Sequence, residues 1–363
     1  IAGADRANAR AVTPTRFSAR TELRRLVTLA APLLVTQIST TAMGVADTIM
    51  AGHYSANDLA AVAVGFSIWL PAMLFIMGLM MGNTALVARA MGARDFEAIT
   101  RNVWAALAVS LMISLPLAVG LWFADHILLW MKVEADIALI SRDYMRAIAL
   151  GIPGVGIYYS LRSFIEGMGH TRPIMVVGFV ALLLHIPLNY VLIHGMFGLP
   201  QLGGVGCGVS TAMMMWFSAL MLLLIASLRA PMSSLSWIAH LRIPRRDDIG
   251  KVVRVGLPVA TATFAEMSIF AVVAIMLAPF GAIVVGGHQI ALNTTSITFM
   301  LPFSLAIAAT IRIGHELGAG NIELAHKLTQ LTLCCAAAIA TFNFLLIYFG
   351  ANIITKMYSN NAD

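Results

Sequence analysis

Charged side chains are scarce in this chain of 363 residues: Asp, Glu, Lys and Arg make up 11% of it, whereas hydrophobic residues make up 60%. Soluble domains carry about 25% charged residues, so this composition excludes an ordinary soluble domain. Disordered chains combine low hydrophobicity with high charge, the opposite of this composition. The three cysteines, Cys207, Cys334 and Cys335, give neither a disulfide framework nor metal-ligand spacing. The composition therefore predicts an all-α polytopic membrane protein.

Catalytic and cofactor-binding motifs are also missing. The sequence contains no HExxH, no Gly-rich phosphate loop and no GxSxG, so it predicts neither an enzyme nor a bound cofactor. Without a phosphate loop, ATP cannot drive transport in this chain, and an ion gradient is the expected source of energy. The net charge of +6 reflects basic loops beside a membrane, and no nucleic-acid partner is expected.

Nine apolar stretches are long enough to cross a bilayer as helices. They lie near residues 27–50, 59–88, 102–124, 137–161, 173–194, 206–228, 252–277, 283–311 and 328–350. All but four of the 23 Lys and Arg residues lie in one alternate set of connections, which includes the N-terminal segment. By the positive-inside rule, the N-terminus is predicted to be cytoplasmic.

The chain resembles itself at an offset of 226 residues. At this offset Arg25 meets Lys251, Pro32 meets Pro258, and Thr84 meets Thr310. The same features follow one another in both copies: basic residues before the first span, a proline within it, and then a long second span. With six spans per repeat, both copies enter the membrane in the same direction, which predicts two parallel-repeat bundles around a substrate path.

This repeat divides the chain into three parts. An amino-terminal lobe of six helices is predicted at 1–232, a cytoplasmic linker at 233–251, and a carboxy-terminal lobe at 252–363. The second lobe has three of the six helices that the symmetry requires. We therefore expect either a fragment of a longer protein or a truncated one.

Asp47 in the first predicted span and Glu266 in the seventh are carboxylates within apolar stretches. A charged residue at the centre of a membrane helix costs about 2.5–3.5 kcal/mol on insertion scales and normally faces a cavity or a partner. Such a carboxylate can take up a proton, or neutralise Na⁺ or a cationic substrate. Gln37 and Thr40 are predicted to share a polar stripe with Asp47. The alternative is an acid capped by neighbouring hydroxyls that holds helices together.

Further polar residues interrupt other spans. His185 and Asn189 stand at i, i+4 around Pro187, where a kink frees backbone carbonyls for a cation. Thr211 on the sixth span is a candidate for the same cavity, and Gln289 and Asn293 form a second i, i+4 pair on the eighth. The alternative for each is an interhelical hydrogen bond, worth roughly 0.6 kcal/mol.

Four charged residues at span ends are assigned structural roles. Arg162 and Glu166 lie one turn apart and are predicted to form an ion pair. Arg89 and Arg312 end the second and eighth spans and are predicted to be anchors that extend toward the membrane surface.

Several motifs together resemble the multidrug and toxic compound extrusion (MATE) family, in its bacterial NorM-type branch. They are Pro32 with the run Asp47-Thr48-Ile49-Met50-Ala51-Gly52-His53-Tyr54-Ser55, Arg172-Pro173, Pro187-Leu188-Asn189-Tyr190, Leu202-Gly203-Gly204-Val205-Gly206-Cys207-Gly208, and Gly287-His288-Gln289-Ile290-Ala291-Leu292-Asn293. The resemblance implies two six-helix bundles around a central cleft, alternating access, and export of small cationic amphiphilic drugs in exchange for H⁺ or Na⁺.

The resemblance also implies roles for particular residues. Asp47, Asn189 and Thr211 match the cation and substrate site of the amino-terminal lobe, and Glu266 matches an acidic position of the carboxy-terminal lobe. Na⁺ is a possible ligand at Asp47 or Glu266. His185 stands where relatives often have Asn, which leaves its role as a ligand open.

The sequence thus predicts a monomeric, multi-pass antiporter in the lipid bilayer of a bacterial cytoplasmic (inner) membrane. A lipid-linked precursor flippase is the first alternative, but it needs a basic cavity for pyrophosphate, and no span carries Lys or Arg near its middle. The second alternative is an incomplete chain that does not transport.

Overall fold

A computed structural model of the chain describes residues 18–130, 134–229, 232, 237, 243–277 and 282–358. Its helices are α1 Ala19–Tyr54, α2 Ala56–Gly92, α3 Phe96–Trp122, α4 Asp125–Trp130, α5 Ala135–Gly167, α6 Arg172–His194, α7 Gly204–Leu228, α8 Arg246–Leu277, α9 Ala282–Gly318 and α10 Ile322–Tyr358. Nine helices within the described residues are long and apolar enough to cross a membrane. The prediction of an all-α polytopic protein is confirmed.

The predicted spans agree with these helices, apart from the third, whose helix ends at Trp122. The short helix α4 was not predicted. Helix α8 begins at Arg246, inside the segment predicted as the linker. Of that segment, residues 233–236 and 238–242 lie outside the described part. Trp237 is buried, and its indole packs against Trp104 and Phe164 of the first bundle.

A cap at the start of α2 links two helices that are distant in sequence. The Ser55 hydroxyl accepts a hydrogen bond from the Asp58 backbone N–H at 3.0 Å, which satisfies a free donor of the first turn. The Asp58 carboxylate in turn accepts a bond of 2.5 Å from the Gly204 backbone N–H, where α7 begins. This bond holds the start of α7 against the start of α2.

Helix α5 lies at the centre of the first bundle, packed against α2, α3 and α7. In its most apolar window, 78% of the residues are buried. The packing is close: a Cβ added at Gly65 of α2 would lie 2.4 Å from the Tyr144 ring of α5. Helix α1 packs on α6, and α6 on α7. Asp47 of α1 therefore faces α6 and α7.

Helix α8 contacts the first bundle through α2 and α3, and α9 contacts it through α2 and α1. These contacts lie at one end of the molecule, which we call the basic end: it carries the starts of α1, α3, α6, α8 and α10. Glycines allow the backbones of α2, α8 and α9 to approach one another closely at the basic end. A Cβ added at Gly82 would lie 2.5 Å from Gly256, and one at Gly318 would lie 1.9 Å from the Arg89 carbonyl oxygen.

Of the four charged residues at span ends, Arg162 and Glu166 form the predicted ion pair, with Nε 2.6 Å from Oε1. Arg89 is exposed at the end of α2. The prediction for Arg312 is wrong, because its guanidinium is only 11% exposed and bonds to Glu22 of α1. The Glu22 carboxylate compensates the charge of Arg312 within the bundle, so the side chain does not extend to the membrane surface.

Candidate functional site

Asp47 is buried between three helices, with 7% of its surface exposed. Its Oδ1 lies 2.8 Å from Nε2 of His185 and accepts a hydrogen bond of 2.6 Å from the Asn189 carboxamide, both on α6. Its Oδ2 accepts a bond of 3.1 Å from the Thr211 hydroxyl on α7. The structure therefore brings together four residues that the sequence singled out from three separate spans.

Helix α6 presents His185 and Asn189 on one face because they are four residues apart. Both are fully buried. The Ser210 hydroxyl donates to Oδ1 of Asn189 at 3.2 Å, so the NH₂ group of the carboxamide points to Asp47. Ser210 was missed in the sequence, because a lone serine in a membrane helix is usually a packing residue. In the sequence, only its position beside Thr211 indicates that Ser210 belongs to the site.

The contacts to Asp47 suit an ionised carboxylate, because neighbouring donors converge on both of its oxygens. Asp47 and His185 can also share one proton: either Nε2–H donates to the carboxylate, or a protonated carboxyl donates to Nε2. Among the described residues, Nδ1 of His185 has no hydrogen-bond partner although it is buried. Buried polar atoms in proteins nearly always have a hydrogen-bond partner, so this nitrogen is an exception within the cluster.

The same cluster offers oxygen ligands to a small hard cation. The Asp47 carboxylate and the Thr211 hydroxyl are ligand types that such cations take, whereas the Asn189 carboxamide oxygen accepts a hydrogen bond from Ser210. Within the described ranges, no group of three or more His, Cys, Asp and Glu side chains could hold a metal ion.

The predicted polar stripe on α1 is divided in the structure. Oε1 of Gln37 lies 3.5 Å from Nη2 of Arg162 on α5, away from Asp47. Thr40 is exposed, and its hydroxyl donates to the Thr36 carbonyl of its own helix at 3.0 Å. Among the described hydrogen bonds, neither residue bonds to the Asp47 cluster.

Of the candidates on α8 and α9, the structure describes the side chains of Glu266 and Asn293. Glu266 is exposed and has no hydrogen bond or ion pair with any described residue. Asn293 is exposed on α9, and the side chain of Gln289 lies outside the described residues. The hydrogen bonds described for the Asp47 carboxylate go to His185, Asn189 and Thr211, and Glu266 has no part in them.

Comparison with known proteins places this architecture in a family. The model of the MatE family matches residues 32–191 and 258–363. The two matched segments begin 226 residues apart, at the offset where the chain resembles itself.

Relatives are similar over nearly the whole chain. The multidrug resistance protein PmpM of Pseudomonas aeruginosa is 43% identical over 94% of this chain and 72% of its own length. The multidrug resistance protein NorM of Vibrio cholerae is 39% identical over 94% of this chain and 74% of its own length.

A solved structure has the same fold. The crystal structure of the eukaryotic MATE transporter AtDTX14 superimposes with a TM-score of 0.84 at 20% identity, and the match covers 94% of this chain and 75% of that one. The nine membrane helices of the described residues therefore share the fold of that structure.

Proposed function

Since this chain belongs to the MATE family, and is a transporter rather than an enzyme, we propose that it is a secondary active multidrug efflux antiporter that exports cationic amphiphilic compounds in exchange for H⁺ or Na⁺. The observation that carries this proposal is the convergence of donors on the buried Asp47 carboxylate. Relatives that bear the name multidrug resistance protein support the class of substrate.

Exchange at Asp47 follows from charge balance. A buried carboxylate is stable when one positive charge compensates it, and either a coupling cation or a cationic drug can supply that charge. If both use Asp47, their binding is mutually exclusive, and uptake of H⁺ or Na⁺ releases the drug. Transport then requires that the two ligands favour different conformations of the protein.

Alternating access uses the division into lobes at residues 1–232 and 252–363. The basic loops support a cytoplasmic basic end and a cytoplasmic N-terminus in a bacterial inner membrane. The described contacts between α2, α8 and α9 lie at that end, which corresponds to a state closed to the cytoplasm. We propose that the monomer alternates between this state and one that opens at the basic end.

Dye transport in vesicles tests the proposed function. The purified chain is reconstituted, ethidium is enclosed, and a pH gradient or a Na⁺ gradient is imposed separately. We expect ethidium to move against its own gradient when one of the two ion gradients is present, and the effective gradient identifies the coupling ion. Dye movement that is absent under both gradients, or equal with and without them, would contradict the proposal.

The Ser210→Ala variant is expected to weaken coupling without abolishing it. Without the Ser210 hydroxyl, the Asn189 carboxamide can turn away from Asp47, and a bond of about 1 kcal/mol is lost. The half-saturating concentration of the coupling ion should change about fivefold, measured as initial ethidium efflux rates in vesicles. Ser227→Ala is the matched control, because among the described residues that hydroxyl bonds only to the Leu223 carbonyl of the same helix. Equal ion dependence in the two variants would contradict a role for Ser210.

A further inference from the structure

A buried charge network joins the two lobes at the basic end. Arg312 of α9 donates to Oε2 of Glu22 on α1, from Nη2 at 2.9 Å and from Nε at 3.1 Å. Nη2 of Arg312 also lies 2.8 Å from Oε1 of Glu316 in its own helix. Nη1 of Arg25 lies 2.6 Å from the other Glu22 oxygen. Two positive and two negative side chains thus compensate one another.

Burial makes this network sensitive to the loss of one member. Glu22 is 5% exposed, the Arg312 side chain 11% and that of Glu316 13%, whereas the Arg25 side chain is 57% exposed at the rim. Both oxygens of Glu22 accept hydrogen bonds, one from Arg25 of its own helix and one from Arg312 of the opposite lobe. If α9 withdrew from α1, Glu22 would lose its bond to Arg312, and water would have to replace it.

A second hydrogen bond joins the same end of α9 to the first lobe. Nε2 of His315 lies 2.8 Å from the carbonyl oxygen of Gly167, the last residue of α5. A terminal carbonyl of a helix has no partner within that helix, so a ring N–H from His315 satisfies it. Nearby, a Cβ added at Gly92 would lie 1.9 Å from the His315 carbonyl oxygen. The backbones of α2 and α9 are therefore in direct contact.

We propose that Glu22, Arg312 and His315 form a latch that keeps the basic end closed. The latch must break in each cycle before a drug can enter from that side, and its strength sets the balance between the closed and open states. This role in transport depends on the proposed antiport function, whereas the contacts themselves do not. None of the latch residues contacts Asp47, so the latch acts on the equilibrium between conformations and not on the ligand site.

The variants Glu22→Gln and Arg312→Gln test the latch. Each keeps a side chain of similar size but removes the charge-assisted bond between α1 and α9. We expect the ratio of open to closed molecules at the basic end to rise at least tenfold in either variant. The double variant should show the same shift as each single variant, because all three lose the same contact between the lobes, that of Glu22 with Arg312.

The readout is a distance between the two lobes. Spin labels are attached to Phe96→Cys and Ile322→Cys, which are 49% and 72% exposed at the starts of α3 and α10. Cys207, Cys334 and Cys335 are replaced by alanine, and distances are measured by pulsed electron paramagnetic resonance in lipid nanodiscs. The parent chain should show one dominant short distance, and the latch variants should add a longer one.

Asp125→Asn is the control, because it removes an ion pair of 3.1 Å with Arg146 that lies within the first lobe. A folded Glu22→Gln or Arg312→Gln chain with the parent distances would overturn the latch. So would an equal shift in Asp125→Asn, or shifts that add in the double variant. The measurement needs neither dye nor gradient, so failure of the latch and failure of the antiport function are distinguishable.

Discussion

Replacing Asp47 by Asn is expected to abolish dye export while the chain still folds. The amide has the size of the carboxylate and keeps contact with Thr211, but it can neither take up a proton nor compensate Na⁺ or a cationic drug. Loss of a charge-assisted interaction of about 3 kcal/mol corresponds to at least a 100-fold lower rate. The measurement is the initial rate of ethidium efflux from vesicles, divided by the amount of folded protein.

Asp58→Asn is the control for this experiment. Asp58 is also 7% exposed, but its carboxylate bonds to Ser55 and to the start of α7. We expect this variant to yield less folded protein with a normal rate per folded molecule. If Asp47→Asn exported dye at the parent rate, the proposed mechanism would be wrong.

Replacing Arg162 by Gln is expected to destabilise the folded chain by about 3–5 kcal/mol, because it leaves a buried carboxylate without its partner. Arg162 and Glu166 are 5% and 3% exposed, and their ion pair of 2.6 Å lies inside the first bundle. The only other side-chain donor to Glu166 in the described part is the Thr84 hydroxyl, at 3.5 Å. The measurement is the free energy of unfolding in mixed micelles, obtained from a denaturant titration.

The double variant Arg162→Gln/Glu166→Gln should recover most of that loss, because two neutral amides can bond to each other without a buried net charge. As a control, Arg142→Gln removes the partly exposed pair with Asp143 and should cost no more than about 1 kcal/mol. A loss for Arg162→Gln as small as that for Arg142→Gln would show that the buried pair does not stabilise the bundle.

The spans and the core of the site were predictable because both depend on local patterns. Long apolar stretches define the helices, and a spacing of four residues places His185 and Asn189 on one face of α6. An isolated carboxylate in an apolar helix needs partners, and Asp47 finds them on α6 and α7.

Contacts between the lobes could not be predicted in this way, because they depend on how distant helices pack. At the end of its span, Arg312 has the sequence pattern of a surface anchor, and nothing local shows that Glu22, 290 positions earlier, lies beside it. Gln37 was expected beside Asp47 because the helical period was applied over several turns. In the structure it instead faces Arg162 on α5.

Competition for Asp47 is the central claim, and equilibrium binding of ethidium tests it most directly. Ethidium is titrated into the purified chain by fluorescence at increasing concentrations of Na⁺, and separately of H⁺. We expect the dissociation constant of ethidium to rise about tenfold for each tenfold increase in the saturating coupling ion, and to be independent of both ions in Asp47→Asn. A parent chain that binds ethidium equally well at all concentrations of both ions would contradict the exchange of drug and cation at Asp47.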